Sequence, residues 1–225
     1  MHEPDGGPEL VGHFLEHRGY EIVNHVVMNG PSQTHPVGEF PSLDGFDLLI
    51  VGGSEKSVTR KEEIDSWIHA EIDLIREAHT AGTPVLGICF GGQVVAEALG
   101  GSVEVAPVTE IGWFEIEGSE NPVGPGPWFE WHHDRFSPPP DAEILATNDN
   151  AVQMYRLGTT VGTQFHPEVT ERHVKTWTDL APDSYLASYG ASADKIVREV
   201  ALHADHNFDQ TKALIDWFVD TVVDG

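Results

Sequence analysis

Residues 84–93 read PVLGICFGGQ, and this segment is the most informative part of the chain about its fold. It opens with a short apolar run, Val85 to Ile88, which is typical of a buried strand. A cysteine, Cys89, follows at once, and two glycines soon precede a segment with helical character at 94–99. A strand, a cysteine flanked by glycines and a helix in this order predict a nucleophile elbow of the form G-x-C-x-G.

The elbow makes Cys89 a candidate nucleophile. Such a turn is tight and strained, so small residues must flank the side chain at its tip. The N-terminus of the following helix lies behind the sulfur, and its partial positive charge favours the thiolate, which is the attacking form. The alternative is a buried structural cysteine beside a glycine-rich turn. We favour the nucleophile because glycines lie on both sides and the chain has no other cysteine, which also excludes an intrachain disulfide.

A thiolate nucleophile needs a base, and the base needs a group that orients it. Residues 162–168, GTQFHPE, offer both within three positions. Because Pro167 disfavours a helical conformation at His166, this segment is predicted to be extended. Positions i and i+2 of an extended segment point to the same side, which places His166 beside Glu168. The carboxylate can then hold the imidazole tautomer and stabilise the imidazolium.

Strand and helix signals alternate through the first half of the chain. A buried-strand run at 46–51 ends in two glycines. A helix over Thr59 to Ala81 is predicted to begin with a capping box of Thr59 and Glu62 and to end at Gly82. Further signals predict a helix over 8–18 and strands over 20–28 and 84–88. The alternation predicts an α/β fold, a doubly wound, mostly parallel sheet flanked by helices.

The second half of the chain changes character twice. Short runs punctuated by Gly and Pro over 101–165 predict a small antiparallel addition to the sheet. The chain then becomes helical, and we expect a single domain over 1–225 with a C-terminal helical extension from about 170 to 225, in which Asn207 caps the final helix. A Gly- and Pro-rich loop runs directly into the first helix, so the first strand of the sheet is expected to be missing.

The charge of the chain excludes some classes of function. The 225 residues include 37 Asp and Glu against 12 Lys and Arg, a net charge of −25. Phosphate binding depends on Lys and Arg, so a nucleic-acid binder is not expected. Acidic residues spread over the whole chain suggest a halophilic origin, because salt screens dense surface charge. We also expect a cytoplasmic protein without a membrane anchor, because no signal peptide is evident and no run approaches about 18 apolar residues. The oligomeric state stays open.

Two other groups of residues invite a functional interpretation. Residues 131–134, WHHD, contain metal-ligand types. Neighbouring residues of a strand point to opposite faces, and no further ligand spacing accompanies them, so we expect no metal and place the segment in a loop or strand end near the active cleft. Three tryptophans, Trp67, Trp177 and Trp217, are predicted to be packing anchors rather than a ligand site.

The elbow and the QFHPE run together resemble the class I (triad) glutamine amidotransferases, whose elbow reads G-x-C-x-G-x-Q. Residues 51–54, VGGS, lie at the place of that family's oxyanion-loop glycines, and residues 110–113 and 131–134 are similar to the stand-alone, GMP-synthase-like subgroup and to plant γ-glutamyl peptidases. The resemblance implies a flavodoxin-like fold. It also implies the nucleophile Cys89, the base His166, the orienting Glu168, an oxyanion hole from the N–H groups of Gly53 and Phe90, and substrate contacts from Gln93 and His132.

The resemblance further implies an activity: hydrolysis of the glutamine side-chain amide through a γ-glutamyl thioester, with no cofactor. Ammonia would pass to a separate synthetase, because the chain has no P-loop and no ATP-pyrophosphatase domain. A γ-glutamyl peptidase with the same triad remains an alternative, as does a non-catalytic, amidotransferase-like binding subunit. An α/β-hydrolase with a cysteine elbow is disfavoured, because that fold places an acid between its nucleophile and a lone late histidine.

Overall fold

A five-stranded sheet forms the centre of the molecule in the computed structural model, which describes residues 1–30, 33, 35–118 and 126–225. Its strand order is β1-β2-β7-β6-β5. The strands β1, β2 and β7 are parallel, and β6 and β5 continue the sheet in antiparallel pairing. A separate antiparallel pair is formed by β3 and β4. The strands are β1 (Leu49–Val51), β2 (Val85–Ile88), β3 (Ser102–Ile116), β4 (Gly126–Ser137), β5 (Glu143–Thr147), β6 (Val152–Leu157) and β7 (Thr160–Thr163).

Helices cover both faces of the sheet. The helices are α1 (Glu9–His17), α2 (Asp65–Ala81), α3 (Phe90–Ala98), α4 (Glu171–Leu180), α5 (Asp183–Ser188) and α6 (Ala193–Trp217), with a 3₁₀ turn at Lys61–Glu63 and a π-helical segment at Phe218–Val223. On one face, α1 and α6 pack Leu15 and Leu214 against Leu86 of β2. On the other face, α2 and α3 pack Ile68 and Val94 in one core with β2 and β6. This architecture confirms the α/β fold with a small antiparallel addition.

The helices after β7 form a third apolar cluster beside the β3–β4 hairpin. Val174 of α4, Leu186 of α5 and Ile196 of α6 are buried together with Phe129 of β4. This cluster places α4 and α5 next to the end of β7, where the predicted base lies.

One of the expected elements near the N-terminus differs in the structure. The predicted strand over 20–28 is wrong, because this segment joins no sheet. The N–H groups of Val27 and Met28 instead donate to the carbonyls of Met1 and His2, at 3.1 and 2.8 Å. The apolar side chains of the segment join the two cores instead: Tyr20 and Ile22 pack against the core that holds Leu15, and Val27 and Met28 lie in the core that holds Ile68. Residues 1–8 form no strand, in line with the expected missing first strand.

Two predicted helix caps are also wrong. Helix α2 begins at Asp65, and the Thr59 hydroxyl lies 3.2 Å from both carboxylate oxygens of Asp134, so this distant contact replaces the capping box. The predicted end at Gly82 is confirmed, with a left-handed φ of 78°. Asn207 is buried in the middle of α6, whose cap is Ser192, because the helix starts before the expected cap.

One finding concerns membranes. No helix in the described ranges combines the length and the apolar character that crossing a bilayer would need.

Candidate active site

The elbow places Cys89 at a strained point between β2 and α3. Its φ and ψ are 51° and −108°, a conformation that a residue with a side chain adopts only when its surroundings enforce it. The Cys89 N–H is fixed by the Thr163 carbonyl of β7 at 2.9 Å. A Cβ atom on Gly91 would lie 2.0 Å from the Val51 carbonyl oxygen, and one on Gly92 would lie 2.4 Å from that of Thr163. Only glycine fits at either position, since the α3 backbone lies directly against two strands.

The Cys89 sulfur lies almost out of contact with solvent, in a polar environment. Only 5% of the residue is exposed. Its Sγ is 3.7 Å from the Gln164 Nε2 atom and 3.9 Å from the Trp131 carbonyl oxygen. The Gln164 amide therefore donates toward the sulfur. Sequence reasoning missed Gln164, although its position two residues before His166 was a usable signal.

His166 and Glu168 are brought together as predicted. Nδ1 of His166 is 2.7 Å from Oε1 of Glu168. The route differs from the prediction, because Pro167 and Glu168 lie in a turn rather than an extended segment. Burial by itself disfavours the imidazolium, but Glu168 and Cys89 outweigh it and hold the pKa of His166 well above its usual value. Burial likewise disfavours the carboxylate, yet His166 keeps the pKa of Glu168 below its usual value.

Three hydrogen bonds, one involving β4 and two from α6, hold the turn that carries these two residues. The His166 N–H donates to the Phe129 carbonyl of β4 at 2.8 Å. From α6, the Asn207 amide donates to the Val169 carbonyl at 3.0 Å, and the Thr211 hydroxyl donates to the Pro167 carbonyl at 2.7 Å. Both helix residues are buried. Sequence reasoning missed these contacts, since the partners are about 40 positions apart in the chain.

The two residues predicted to form the oxyanion hole border the same cleft as Cys89 and His166. Phe90 is the first residue of α3, where backbone N–H groups have no partner within the helix. A Cβ on Gly53 would lie 3.3 Å from the Cε1 atom of His166, so this glycine lies directly against the imidazole. The Gly53 carbonyl accepts a hydrogen bond of 3.0 Å from Nδ1 of His2, which fixes the loop after β1.

Gln93 and His132, the predicted substrate contacts, also border the cleft. The Gln93 amide donates to the Asp134 carbonyl at 2.9 Å. The ring nitrogens of His132 lie 2.9 Å from the Asp134 carbonyl and 2.9 Å from Oε2 of Glu110. The polar groups of both side chains are therefore engaged within the protein. Residues 131–134 lie inside strand β4 rather than in the expected loop or strand end.

A buried carboxyl group near the centre was not predicted. Glu130 of β4 is 0% exposed, and neither of its side-chain oxygens has a hydrogen-bond partner among the described residues. Burial, reinforced by the neighbouring carboxylate of Glu110, raises the pKa of Glu130 well above its usual value. The Oε2 atom of Glu130 lies 3.5 Å from Nε2 of His132, a contact that does not offset the burial.

The cleft around these residues has a volume of about 700 Å³. Trp177 packs against the cluster of Phe129 and Val174, as expected of a packing anchor, and it also lines the cleft. Within residues 1–30, 33, 35–118 and 126–225, no three His, Cys, Asp or Glu side chains cluster as metal ligands would.

Comparison with known families decides the classification. The family model for glutamine amidotransferase class I matches residues 10–177. The chain belongs to the class I glutamine amidotransferases. This confirms the resemblance inferred from the elbow and the QFHPE run.

The relatives of this class I amidotransferase include one protein of similar length and one enzyme subunit. The glutamine amidotransferase-like protein YfeJ of Salmonella typhimurium is 32% identical over 94% of this chain and 92% of its own length. A subunit of the glutamine-hydrolysing GMP synthase of Sulfurisphaera tokodaii is 31% identical over 61% of this chain and 77% of its own.

A solved structure shows the same fold. The glutamine amidotransferase of Methylobacillus flagellatus superposes on 98% of this chain and 92% of its own with a TM-score of 0.83, at 24% sequence identity. The α/β architecture, including the helices after β7, is therefore shared along nearly the whole chain.

Proposed function

We propose that this class I amidotransferase hydrolyses the side-chain amide of glutamine and releases ammonia. The observation that carries the proposal is one arrangement: a strained elbow presents Cys89 to the cleft that also holds the His166–Glu168 pair. A cysteine, a base and an orienting carboxylate in one cleft are the components of nucleophilic amide cleavage.

The proposed reaction has two halves. The Cys89 thiolate attacks the γ-carboxamide carbon, and the protonated His166 gives its proton to the departing nitrogen, so that ammonia leaves and a γ-glutamyl thioester remains. His166 then removes a proton from water, which attacks the thioester and releases glutamate and the thiolate. Glu168 stabilises the imidazolium in both halves. Water is the only second reactant, so the proposal needs no cofactor.

The oxyanion that forms in each half needs hydrogen-bond donors. We assign this role to the backbone N–H groups of Gly53, in the loop after β1, and of Phe90, at the start of α3, because both residues line the cleft. Gln93 and His132 are assigned to the substrate side. Because their own polar groups are bonded to Asp134 and Glu110, they would act by shaping the binding surface.

The proposal extends to partners. One relative is named as a subunit of GMP synthase, which supports transfer of ammonia to a separate synthetase chain. We propose that residues 1–225 form one amidotransferase domain, with residues from about 170 onward as a helical extension, and that it works in the cytoplasm.

A glutaminase assay tests the proposal. Purified protein should release equal amounts of ammonia and glutamate from glutamine, and a glutamine-analogue electrophile should label Cys89, as read by mass spectrometry. Cys89→Ala should lose turnover and labelling while keeping its circular dichroism spectrum. Turnover that survives in pure Cys89→Ala protein would refute the assignment. No labelling and no turnover, alone or with a synthetase, would favour a non-catalytic binding subunit.

A further inference from the structure

A wall of aromatic side chains lies beside the predicted base. It consists of Trp131 of β4, Trp177 of α4, and Tyr185 and Tyr189 at α5 and its end, with Leu180 at its edge. All of them line the cleft that holds Cys89. We call these five residues the aromatic wall.

The aromatic wall lies on the His166 side of the cleft. The ring of Trp177 is edge-on to the His166 imidazole with a centroid distance of 5.1 Å, and it contacts Trp131 in the same manner at 5.9 Å. The base must reach the nitrogen that leaves. A substituent on that nitrogen would therefore lie next to His166, whose ring Trp177 of the aromatic wall contacts.

Contacts with other side chains of the protein hold the rings of the aromatic wall in place. The Tyr185 hydroxyl accepts a hydrogen bond of 3.1 Å from the Trp131 indole and lies 2.6 Å from Nε2 of His133. The rings of Tyr185 and Tyr189 contact each other at 5.3 Å. Since these contacts fix the rings, a ligand would lose little free energy in ordering them.

Part of the aromatic wall is open to solvent. Leu180 is 53% exposed and Tyr189 is 46% exposed. An apolar surface of this kind at the mouth of a cleft is typical of a binding site. The cleft of about 700 Å³ falls among volumes that bind drug-sized ligands, whereas glutamine is a single amino acid whose departing group is ammonia.

We propose that the aromatic wall is a subsite for the amine part of a γ-glutamyl amide whose amine carries an aromatic group. The inference rests on the proposed Cys89 chemistry and names its substrate class. The γ-glutamyl carbon–nitrogen bond breaks as the bond from Cys89 Sγ to carbon forms, and the leaving nitrogen takes the proton of His166. Water then donates a proton to His166 and its oxygen to the acyl group, so the products are glutamate and a free amine.

A matched pair of substrates measures the contribution of an aromatic ring on the amine. γ-Glutamyl-2-phenylethylamide and γ-glutamylethylamide differ only in the phenyl group. We expect kcat/KM to be about 10-fold or more higher for the phenyl compound, through a lower KM, because an aromatic body is buried on binding. Equal kcat/KM values for the two amides would overturn the inference.

Variants test whether the aromatic wall causes this preference. Leu180→Ser and Tyr189→Ser should lower the ratio of the two kcat/KM values about 5-fold or more. The matched control is Leu202→Ser on α6, because Leu202 is 80% exposed and outside the cleft, and the ratio should not move. A ratio that is unchanged in the two wall variants would also overturn the inference.

The outcomes separate the two proposals. Hydrolysis of glutamine without any preference for the phenyl compound removes the subsite and leaves the proposed function intact. Hydrolysis of neither amide nor glutamine, with no acylation of Cys89, removes the proposed function itself.

Discussion

Oε1 of Glu168 lies 2.7 Å from Nδ1 of His166, two positions away in a turn that Pro167 shapes. The pair is buried, so the carboxylate acts on the imidazole without much screening by solvent. The contact fixes which ring nitrogen faces Glu168 and leaves Nε2, which has no hydrogen-bond partner among the described residues, for the reaction.

Glu168→Gln should therefore lower kcat by about 10²–10⁴. The Glu168 carboxylate helps to hold the pKa of His166 well above its usual value, so its loss lowers that pKa. The imidazolium is then lost at a lower pH, and the alkaline limb of the kcat/KM profile should move down in pH. The control is Glu171→Gln, an exposed site at the start of α4. An alkaline limb that stays in place would contradict the assigned role.

The backbone strain at Cys89 predicts an unusual order of stabilities. Cys89→Gly and Cys89→Ala both lose the sulfur and should both be inactive, but only glycine relieves the φ of 51°. Such strain costs about 1–3 kcal/mol, which exceeds the extra freedom of glycine in the unfolded chain. We expect Cys89→Gly to be more stable than Cys89→Ala by roughly 1 kcal/mol in urea unfolding. The reverse order would mean that the elbow is unstrained.

The close approach of α3 to β1 predicts that Gly91 tolerates no side chain. Gly91→Ala would place Cβ 2.0 Å from the Val51 carbonyl, so one of the two elements must move. We expect a loss of about 2 kcal/mol or more in the free energy of unfolding, together with a loss of activity. Gly38→Ala is the matched control, because its Cβ would meet no atom within 4 Å. Equal stability of the two variants would count against the tight elbow.

The raised pKa of the buried Glu130 carboxyl predicts a pH-dependent stability. Burial raises the pKa of Glu130 in the folded protein, so the folded state binds more protons than the unfolded state above the pKa of an ordinary Glu. Stability from this site therefore falls as pH rises toward the raised pKa. Glu130→Gln has no carboxyl at this site and so does not lose this stability as pH rises. The free energy of unfolding of the variant minus that of the parent should therefore be larger at about pH 8 than at about pH 5, by on the order of 1 kcal/mol.

Urea unfolding of both proteins at the two pH values measures this difference. Glu143→Gln, at an exposed position of β5, should show no such trend. A constant difference between Glu130→Gln and the parent at both pH values would show that Glu130 is ionised when folded.

The net charge of −25 predicts a response to salt. We propose that the chain is adapted to high salt, where screening reduces repulsion among its carboxylates. Raising KCl from about 0.1 M to about 2 M should raise Tm by about 4 °C or more, which corresponds to about 1 kcal/mol. An uncharged osmolyte at equal osmolality serves as the control. A Tm that is the same in both KCl concentrations would contradict a halophilic origin.

The elbow and the fold class could be predicted because their signals are local. The segment from Val85 to Gly92 contains the strand, the turn and the start of the helix. Its glycines indicate positions where the backbone lies too close to a neighbour for a side chain to fit. The contact between His166 and Glu168 was also predictable, because two positions separate them and Pro167 limits the backbone between them. The turn at Pro167 and Glu168 could not be predicted, because an extended segment and a turn both bring the side chains of His166 and Glu168 together.

The remainder depended on partners that are distant in sequence. Asn207 looked like a helix cap, because nothing nearby indicates that its amide bonds the Val169 carbonyl. Thr59 looked like a cap for the same reason, while its hydroxyl contacts Asp134. Glu130 carries no local signal at all, since its burial results from the packing of the hairpin against the sheet. Polar contacts between residues distant in sequence compete with local propensity, and a reading of local propensity cannot detect them.

The bonds from Asn207 and Thr211 to the turn around Glu168 also have a consequence for biosynthesis. A nascent chain emerges from the ribosome with the elbow more than 100 residues ahead of these two clamps. The elbow itself needs β7, because the Cys89 N–H is bonded to the Thr163 carbonyl, and the turn that carries the base needs α6. The reactive centre is therefore complete only after the residues up to Thr211 have been synthesised and α6 has packed against the turn.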